Sequence, residues 1–262
     1  MMNIIVCIKQ VADPEAPASV YSIDNEAKQV IMKGVMPVIS PFDENALEAA
    51  LRIKDTTECK ITVLSAGYKL SKPVLIKALA IGTDELILLD DEAFQSMDGY
   101  ATASTLAAAI KKLGQYDLII TGRQSADTDA GIVGSGIAEI LGIPSITVVR
   151  KIELTNDTVK AERIVSNGCE VIEAPLPCLV TVSAELGEMR SATLQQIIAA
   201  KKIEIKSMSA QDINIDPSQL KQANLIKLFT PQRETECLIV EGNSPEEISA
   251  NLATKLREDK VI

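Results

Sequence analysis

Between Asn3 and Leu141, short apolar runs alternate with stretches in which apolar residues recur every three or four positions. That alternation constrains the fold more than any other feature of the chain. Asn3–Ile8, Ile61–Ser65, Leu86–Leu89 and Leu118–Thr121 have the length of strands and are apolar almost throughout. Between them, Ser40–Lys54, Lys72–Leu79, Ala101–Leu113 and Ile132–Leu141 carry helical spacing, as with Phe42, Ala46, Ala49, Ala50 and Ile53 in the first. Ser40 is placed to cap that helix, Pro41 suits its first position, and Asp43 is placed to close a capping box. Gly142 and Pro144 stop the last helix. Continuous apolar strands alternating with helices predict an open, mostly parallel sheet covered by helices on both faces.

The pattern changes after Pro144. Ile146–Leu154, Thr158–Ile164, Glu170–Glu173 and Cys178–Val182 read as strands, with hairpin turns at Asn156-Asp157 and Asn167-Gly168. They predict an antiparallel extension of the sheet, followed by one more helix over Thr193–Lys202. From Ile203 the apolar pattern thins, and Ser207–Thr230 is polar, with Pro217 and Pro231 punctuating the region. Ser244-Pro245-Glu246-Glu247 then opens a terminal helix with Ile248, Leu252 and Leu256 on one face. Residues 1–202 are therefore expected to form a nucleotide-binding α/β domain. Residues 203–262 form an extended arm that packs either on another chain or back on its own domain.

Composition narrows the function. The chain has no histidine, which removes Ser-His-Asp and Cys-His machinery, HExxH zinc sites and imidazole proton transfer. Binding, with the chemistry left to a cofactor, is the reading that remains. A net charge of −10 argues against nucleic acid, and the Lys201-Lys202 and Lys206 cluster beside Glu204 reads as a solvated helix end. No two of the five cysteines are spaced as CxxC, so metal clusters have no support and all five are expected reduced. No apolar run reaches the roughly 18–20 residues that span a bilayer. The opening Met1–Lys9 reads as a first strand rather than a leader, which predicts a cytoplasmic protein without membrane insertion.

In a parallel sheet, ligands bind beyond the carboxyl ends of the strands. Four segments should meet there: Cys7–Lys9, Ser40–Asp43, Ser65–Gly67 and the loop Gly122–Gly136. The loop is rich in glycine, follows a strand and runs into a helix start, an arrangement suited to phosphate. It is neither GxGxxG nor a P-loop. Asp127 and Asp129 are as readily helix caps as ligands.

Four motifs together resemble the electron-transfer flavoprotein β-subunit family, over nearly the whole chain. They are Ile4–Val11; Ser40-Pro41-Phe42-Asp43-Glu44-Asn45-Ala46-Leu47-Glu48-Ala49-Ala50; Gly122-Arg123-Gln124 through Asp127 and Asp129; and Arg190-Ser191-Ala192-Thr193-Leu194 ahead of Ala200-Lys201-Lys202. The Leu79–Asp84 turn is similar as well.

The resemblance implies an adenine-nucleotide α-hydrolase-like fold and a heterodimer with an α subunit. It implies a redox FAD held mainly by the α subunit, and AMP or a second FAD in this chain. Carried over motif by motif, the nucleotide contacts are Cys7, Lys9, Ser40, Pro41, Phe42, Asp43, Ala66, Gly122, Arg123, Gln124, Ser125, Asp127, Thr128, Asp129, Ala130, Gly131, Ile132, Val133 and Gly134. The family's partner-recognition loop matches Glu185, Leu186, Gly187, Glu188, Met189 and Arg190, with Leu186 as an exposed anchor for a flavin-dependent dehydrogenase such as an acyl-CoA dehydrogenase.

Two departures matter. Ile132 stands where the family has glutamine, and Ser40 where asparagine is usual. AMP versus a second FAD, and with it electron bifurcation from NADH, stays open. The implied function is an electron carrier between dehydrogenase flavins and an acceptor, not an enzyme in its own right. Two rivals are a standalone adenine-nucleotide sensor of similar fold and an NAD-dependent oxidoreductase. The second lacks both GxGxxG and a proton donor.

Overall fold

The computed structural model describes residues 1–155, 157–230 and 237–262. In chain order it contains β1 (Met2–Cys7), β2 (Gln10–Val11), β3 (Tyr21–Asp24), β4 (Gln29–Met32), β5 (Val38–Ile39), α1 (Pro41–Lys54), β6 (Cys59–Gly67), α2 (Lys72–Ala80) and β7 (Glu85–Asp90). There follow α3 (Gly99–Leu113), β8 (Leu118–Gly122), α4 (Val133–Leu141), β9 (Ser145–Thr155), β10 (Thr158–Val165), β11 (Gly168–Pro175) and β12 (Cys178–Val182). The last elements are α5 (Leu194–Ala200), β13 (Lys206–Met208), α6 (Pro217–Leu220) and α7 (Pro245–Glu258).

Nine strands form one sheet in the order β11-β10-β9-β12-β8-β1-β6-β7-β13. The six pairings from β9 to β13 are parallel, and β9-β10-β11 is an antiparallel meander. The central strands read as unbroken apolar runs because both faces are covered. In β1, Ile4 and Val6 join the core under α1 and α2, whereas Ile5 and Cys7 join the core under α3. In β8, Leu118 and Ile120 face one side and Ile119 the other. With no Trp and little Phe, alanines on α1 and α3 let the helices lie close to the sheet.

The change from parallel to antiparallel pairing is marked by strain. Val148 in β9 has φ 58°, which a β-branched residue rarely adopts, and its N–H donates to Thr181 Oγ1 at 2.9 Å. The β9 register shifts against both of its neighbours in this stretch, as at a bulge.

Three features depart from the sequence expectations. Residues between β1 and α1 form two small antiparallel pairs, β2 with β5 and the hairpin β3–β4. At the hairpin tip, Asp24 Oδ1 accepts the N–H groups of Glu26 and Ala27. The polar stretch after Ile203 stays with the main fold: β13 pairs β7, and Ala210 and Ile213 are buried in the core under α3. The first compact unit accordingly runs from Met1 to Ile226, past the boundary expected at residue 202, and the second from Lys227 to Ile262. Asn156, of the expected β9–β10 turn, and Pro231 lie outside the described residues.

Leu64 lies fully buried in β6, next to the central β1. Leu64→Ala is expected to lower unfolding free energy by about 2–5 kcal/mol, as core truncations do, read from urea denaturation.

Candidate functional site

From β1 the chain moves to β6 and β7 on one side, then returns to β8 and β12 on the other. The reversal falls between β1 and β8, and their carboxyl ends open the crevice where such sheets bind ligands. The crevice is closed at its floor by α1. Asp43, in the first turn of α1, accepts the Lys9 N–H on Oδ2 at 2.8 Å and the Gly122 N–H on Oδ1 at 3.2 Å. It thereby joins the ends of both strands. This replaces the expected capping box: Ser40 makes no cap bond to α1, and its hydroxyl accepts the Ala126 N–H at 3.3 Å. A Cβ on Gly122 would lie 2.5 Å from Asp43 Oδ1 and 2.7 Å from the Phe42 carbonyl carbon, so only glycine fits there.

The loop after β8 folds back over this floor. Lys9 Nζ pairs with Asp127 at 2.7 Å, linking the end of β1 to the loop. The Arg123 guanidinium lies 5.5 Å from the Phe42 ring centre, within cation–π range, and the Arg123 N–H donates to Val182 O. Gln124 Nε2 donates to Asp129 Oδ1 at 2.7 Å, and the Ser125 and Thr128 hydroxyls pair at 2.9 Å. Asp127 is thus engaged by Lys9 and Asp129 by Gln124 within the loop, and neither caps α4. Ile132 precedes α4 without a side-chain cap, which leaves the first-turn N–H groups for an external acceptor. Ala130, Gly131 and Ile132 are exposed in front of that helix end, and Val133 is half-buried. Gly134 lets α4 approach the sheet: a Cβ there would lie 2.7 Å from both Thr121 Oγ1 and Thr181 Cγ2.

Of the expected contacts, Cys7, Lys9, Ser40, Phe42, Asp43 and the Gly122–Asp127 stretch are therefore brought to the β1/β8 crevice. Pro41 is exposed at the helix start, and Ala66 stands at the end of β6. Its neighbour Ser65 is fully buried, with a hydroxyl that has no partner among the described residues. Burial and then the Asp43 charge push the Cys7 thiol up to about 12, so it stays neutral. Burial pushes Asp43 up to about 7, against the Lys9 and Gly122 N–H bonds and the Lys9 ammonium, which lower it. A phosphate-bearing ligand fits the open α4 end and the glycine-lined floor. A separate cavity of about 190 Å³, lined by Asn3, Lys60, Thr62 and Glu85, lies at the opposite, amino ends of the strands.

The expected recognition loop is built differently from the sequence reading. Leu186 is not exposed. It lies at 7% accessibility in a short 3₁₀ turn, Ala184–Leu186, and packs into the core under α1. The reason is a polar face of α1, spaced three, four and three residues apart, that grips the loop backbone. Asn45 Nδ2 donates to Gly187 O and Arg52 Nη1 to Leu186 O, each at 2.7 Å. The buried Glu48 carboxylate accepts the Arg190 N–H at 3.0 Å and its guanidinium, which also reaches Asp55 at 2.7 Å. Asn45 and Glu48 sit inside a motif quoted from the sequence, but their roles were not legible in it. The signal was a polar stripe on an otherwise apolar helix. Glu185 and Glu188 are exposed, Gly187 and Met189 half-buried.

Burial raises the Glu48 carboxyl, but the Arg190 and Arg52 bonds outweigh it and hold it below the usual range. The lock therefore stabilises above the ordinary carboxylate pKa and is lost as pH falls through the lowered one. Arg190→Gln is expected to cost roughly 1–3 kcal/mol at neutral pH, because it strips a buried carboxylate of its main partner. In acid the difference from the parent should vanish, as paired urea titrations would show.

The chain matches the family model of the electron transfer flavoprotein domain over residues 29–213. It is 40% identical over 266 residues to an electron transfer flavoprotein subunit beta of Thermoanaerobacterium thermosaccharolyticum, covering all of both chains. It is 38% identical over 265 residues to the corresponding subunit of Clostridium acetobutylicum, again with full coverage of both. The caffeyl-CoA reductase-Etf complex subunit CarD of Acetobacterium woodii is 35% identical over 266 residues, with 100% of each chain covered.

Proposed function

Because the chain belongs to the electron transfer flavoprotein β-subunit family, we propose that its β1/β8 crevice holds an adenine nucleotide and that an α subunit completes the working protein. The chain is an electron-transfer subunit, with a carrier rather than a catalytic role. The observation that carries the nucleotide assignment is the meeting of Lys9, Asp43, Gly122 and the uncapped start of α4 at one strand-order reversal.

Bound flavin supplies the redox chemistry. This chain's residues bind and orient. The first-turn N–H groups of α4 receive phosphate, with Gly131, Ile132 and Val133 around it. The Arg123 guanidinium adds positive charge beside the same loop. Ser40 and Phe42 bound the crevice from the α1 side. Nothing in this arrangement requires proton transfer by the protein, in keeping with a chain that has no histidine. AMP and a second FAD share the adenylate end that such a site recognises, and only a second FAD here would bring NADH oxidation and bifurcation. A relative's name places it in a complex with a caffeyl-CoA reductase. We extend that to this chain as a class: its electron partner is a flavin-dependent dehydrogenase or reductase of CoA esters.

Leu186 is too deeply packed to serve as the dehydrogenase anchor. The apolar surface that follows it in the chain takes that role, with Leu194 at 72% accessibility and Ile198 at 50%. An exposed leucine one helical turn from exposed Ile198 suits a docking anchor. The second unit, with α7 unburied along its length, packs on the α subunit.

Co-purification with its α subunit is expected to give a yellow complex that releases an adenine nucleotide on denaturation, identified by mass. The flavin-to-protein ratio separates AMP from a second FAD. A colourless chain that binds ATP and forms no stable complex would favour the sensor reading instead. Leu194→Asp is expected to slow electron transfer with the dehydrogenase at least tenfold, leaving flavin content and Tm unchanged. Leu186→Ala should lower Tm, as a core truncation does.

A further inference from the structure

We propose that Asp43 is a positioning residue and not a nucleotide ligand: its ionised carboxylate closes the crevice between β1 and β8, so that nucleotide affinity depends on pH. The inference rests on the nucleotide reading of the crevice.

Asp43 is only 6% exposed, and both its oxygens are already engaged, one by each strand end. Buried in this way, with each oxygen held against a backbone N–H, the carboxylate presents little surface to a ligand. The donors are backbone N–H groups, which cannot reverse polarity. A proton on either oxygen would turn that oxygen into a hydroxyl, a much weaker acceptor, and loosen one of the two ties. The Gly122 tie, at 3.2 Å, is the longer. Losing it loosens the β8 end on its β1 side, and with it the loop that begins there and carries the phosphate-binding helix start, leaving the Arg123 N–H bond to Val182 O on the β12 side. Losing the Lys9 tie frees the β1 end and, through the Lys9–Asp127 pair, the same loop.

The surroundings set where this happens. On β1 and beyond it, Cys7 is a neutral thiol and Lys9 brings an ammonium. On the loop, Asp127 brings a carboxylate that lies against Lys9, and Arg123 sits over the ring of Phe42, next to Asp43 in α1. Glu44, beside it in α1, feels Lys77 and Glu15 instead. Burial drives Asp43 up to about 7, the two N–H bonds and Lys9 hold it back, and Asp127 pushes it up. The tie is therefore poised at neutral pH.

Affinity and stability then move in opposite directions. The folded carboxyl titrates above its unfolded value, so the empty fold binds the proton more tightly and loses stability as pH rises toward about 7. Nucleotide affinity, which needs the ionised tie, rises across the same window. A residue that merely held the fold together would move both the same way.

The test uses the co-purified two-subunit protein, stripped of nucleotide and titrated with AMP, and in parallel with FAD. Calorimetry from about pH 6 to about pH 8.5, in buffers of two ionisation enthalpies, gives Kd and protons exchanged. Kd is expected to weaken by up to roughly tenfold per unit as pH falls below about 7, with close to one proton released on binding there. Asp43→Asn keeps one acceptor but turns an amide N–H toward the second donor. It should bind at least tenfold more weakly than the parent at the alkaline end, with a flat pH profile. Glu44→Gln, which touches neither strand end, should keep the parent profile. A flat profile in the parent, tighter binding in acid, or an Asp43→Asn protein with parental affinity and slope would each overturn the inference. The parent's proton release on binding FAD, whose diphosphate has no phosphate monoester group titrating in this range, decides the matter even where Asp43→Asn fails to fold. Binding at no pH would overturn the nucleotide reading, and the inference with it.

Discussion

A parallel ladder stops supplying partners where its strands end, and between β1 and β8 it stops for two N–H groups at once. Asp43 meets both, at Lys9 and Gly122. A carboxylate taken out of water costs several kcal/mol unless its oxygens are bonded. Here the bonds come from backbone that would otherwise be unpaired in the same place. The contact fixes where α1 begins. With that start fixed, the register of α1 decides which residues point at the sheet and which at the next loop. Asn45, Glu48, Arg52 and Asp55 follow at helical spacing; the first three hold the Leu186–Arg190 backbone and Asp55 holds the Arg190 side chain. One buried charge at a strand end thus orders the nucleotide crevice and, a turn or more along the same helix, the surface that follows β12.

Much of the parallel sheet was legible because its strands are buried on both faces and read as apolar runs. β1, β6, β7, β8 and β12 were each recognised within a residue or two at most of their termini. The hairpin β3–β4 was not, because its residues are exposed or half-buried and its apolar run, Val30-Ile31-Met32, is short. β13 was missed for a related reason. Lys206 and Ser207 are exposed and only backbone pairing to β7 makes the stretch a strand. Local pattern reports burial well and edge pairing poorly.

The site divides along the same line. Its location followed from strand ends and a glycine-rich loop, and those segments do converge. What Asp43 does there was not legible. An acidic residue three positions after a serine at a helix start has a local use as a cap, and the tertiary use won because the Lys9 and Gly122 amides both point at it from the strand ends. Leu186 failed for the opposite reason. A leucine among glutamates looks exposed, yet the partners that bury it, on α1, lie more than a hundred residues away in sequence. No local reading weighs such a contact.

The distribution of apolar surface carries the last step. Inside the first unit, aliphatic side chains are sorted almost entirely into two cores, one on each face of the sheet. Large exposed ones stand on and near the β3–β4 hairpin, as Val30, Ile31 and Met36, singly at Ile132, Val171 and Ile203, and on α5, as Leu194, Ile197 and Ile198; the second unit exposes Phe229, Leu238, Ile239, Ile248 and Leu252. An isolated helix as short as α7 is marginal in water, and contiguous exposed apolar surface on a soluble chain marks an interaction site. Exposed aliphatic groups on α5 and along the second unit are more than a self-contained nucleotide sensor needs. They suit a chain that is permanently covered along one stretch by a companion subunit, and meets a second, changing partner through another. Electron transfer between proteins calls for that division: a fixed contact to hold the redox centre in place, and a separable one to let each donor approach and leave.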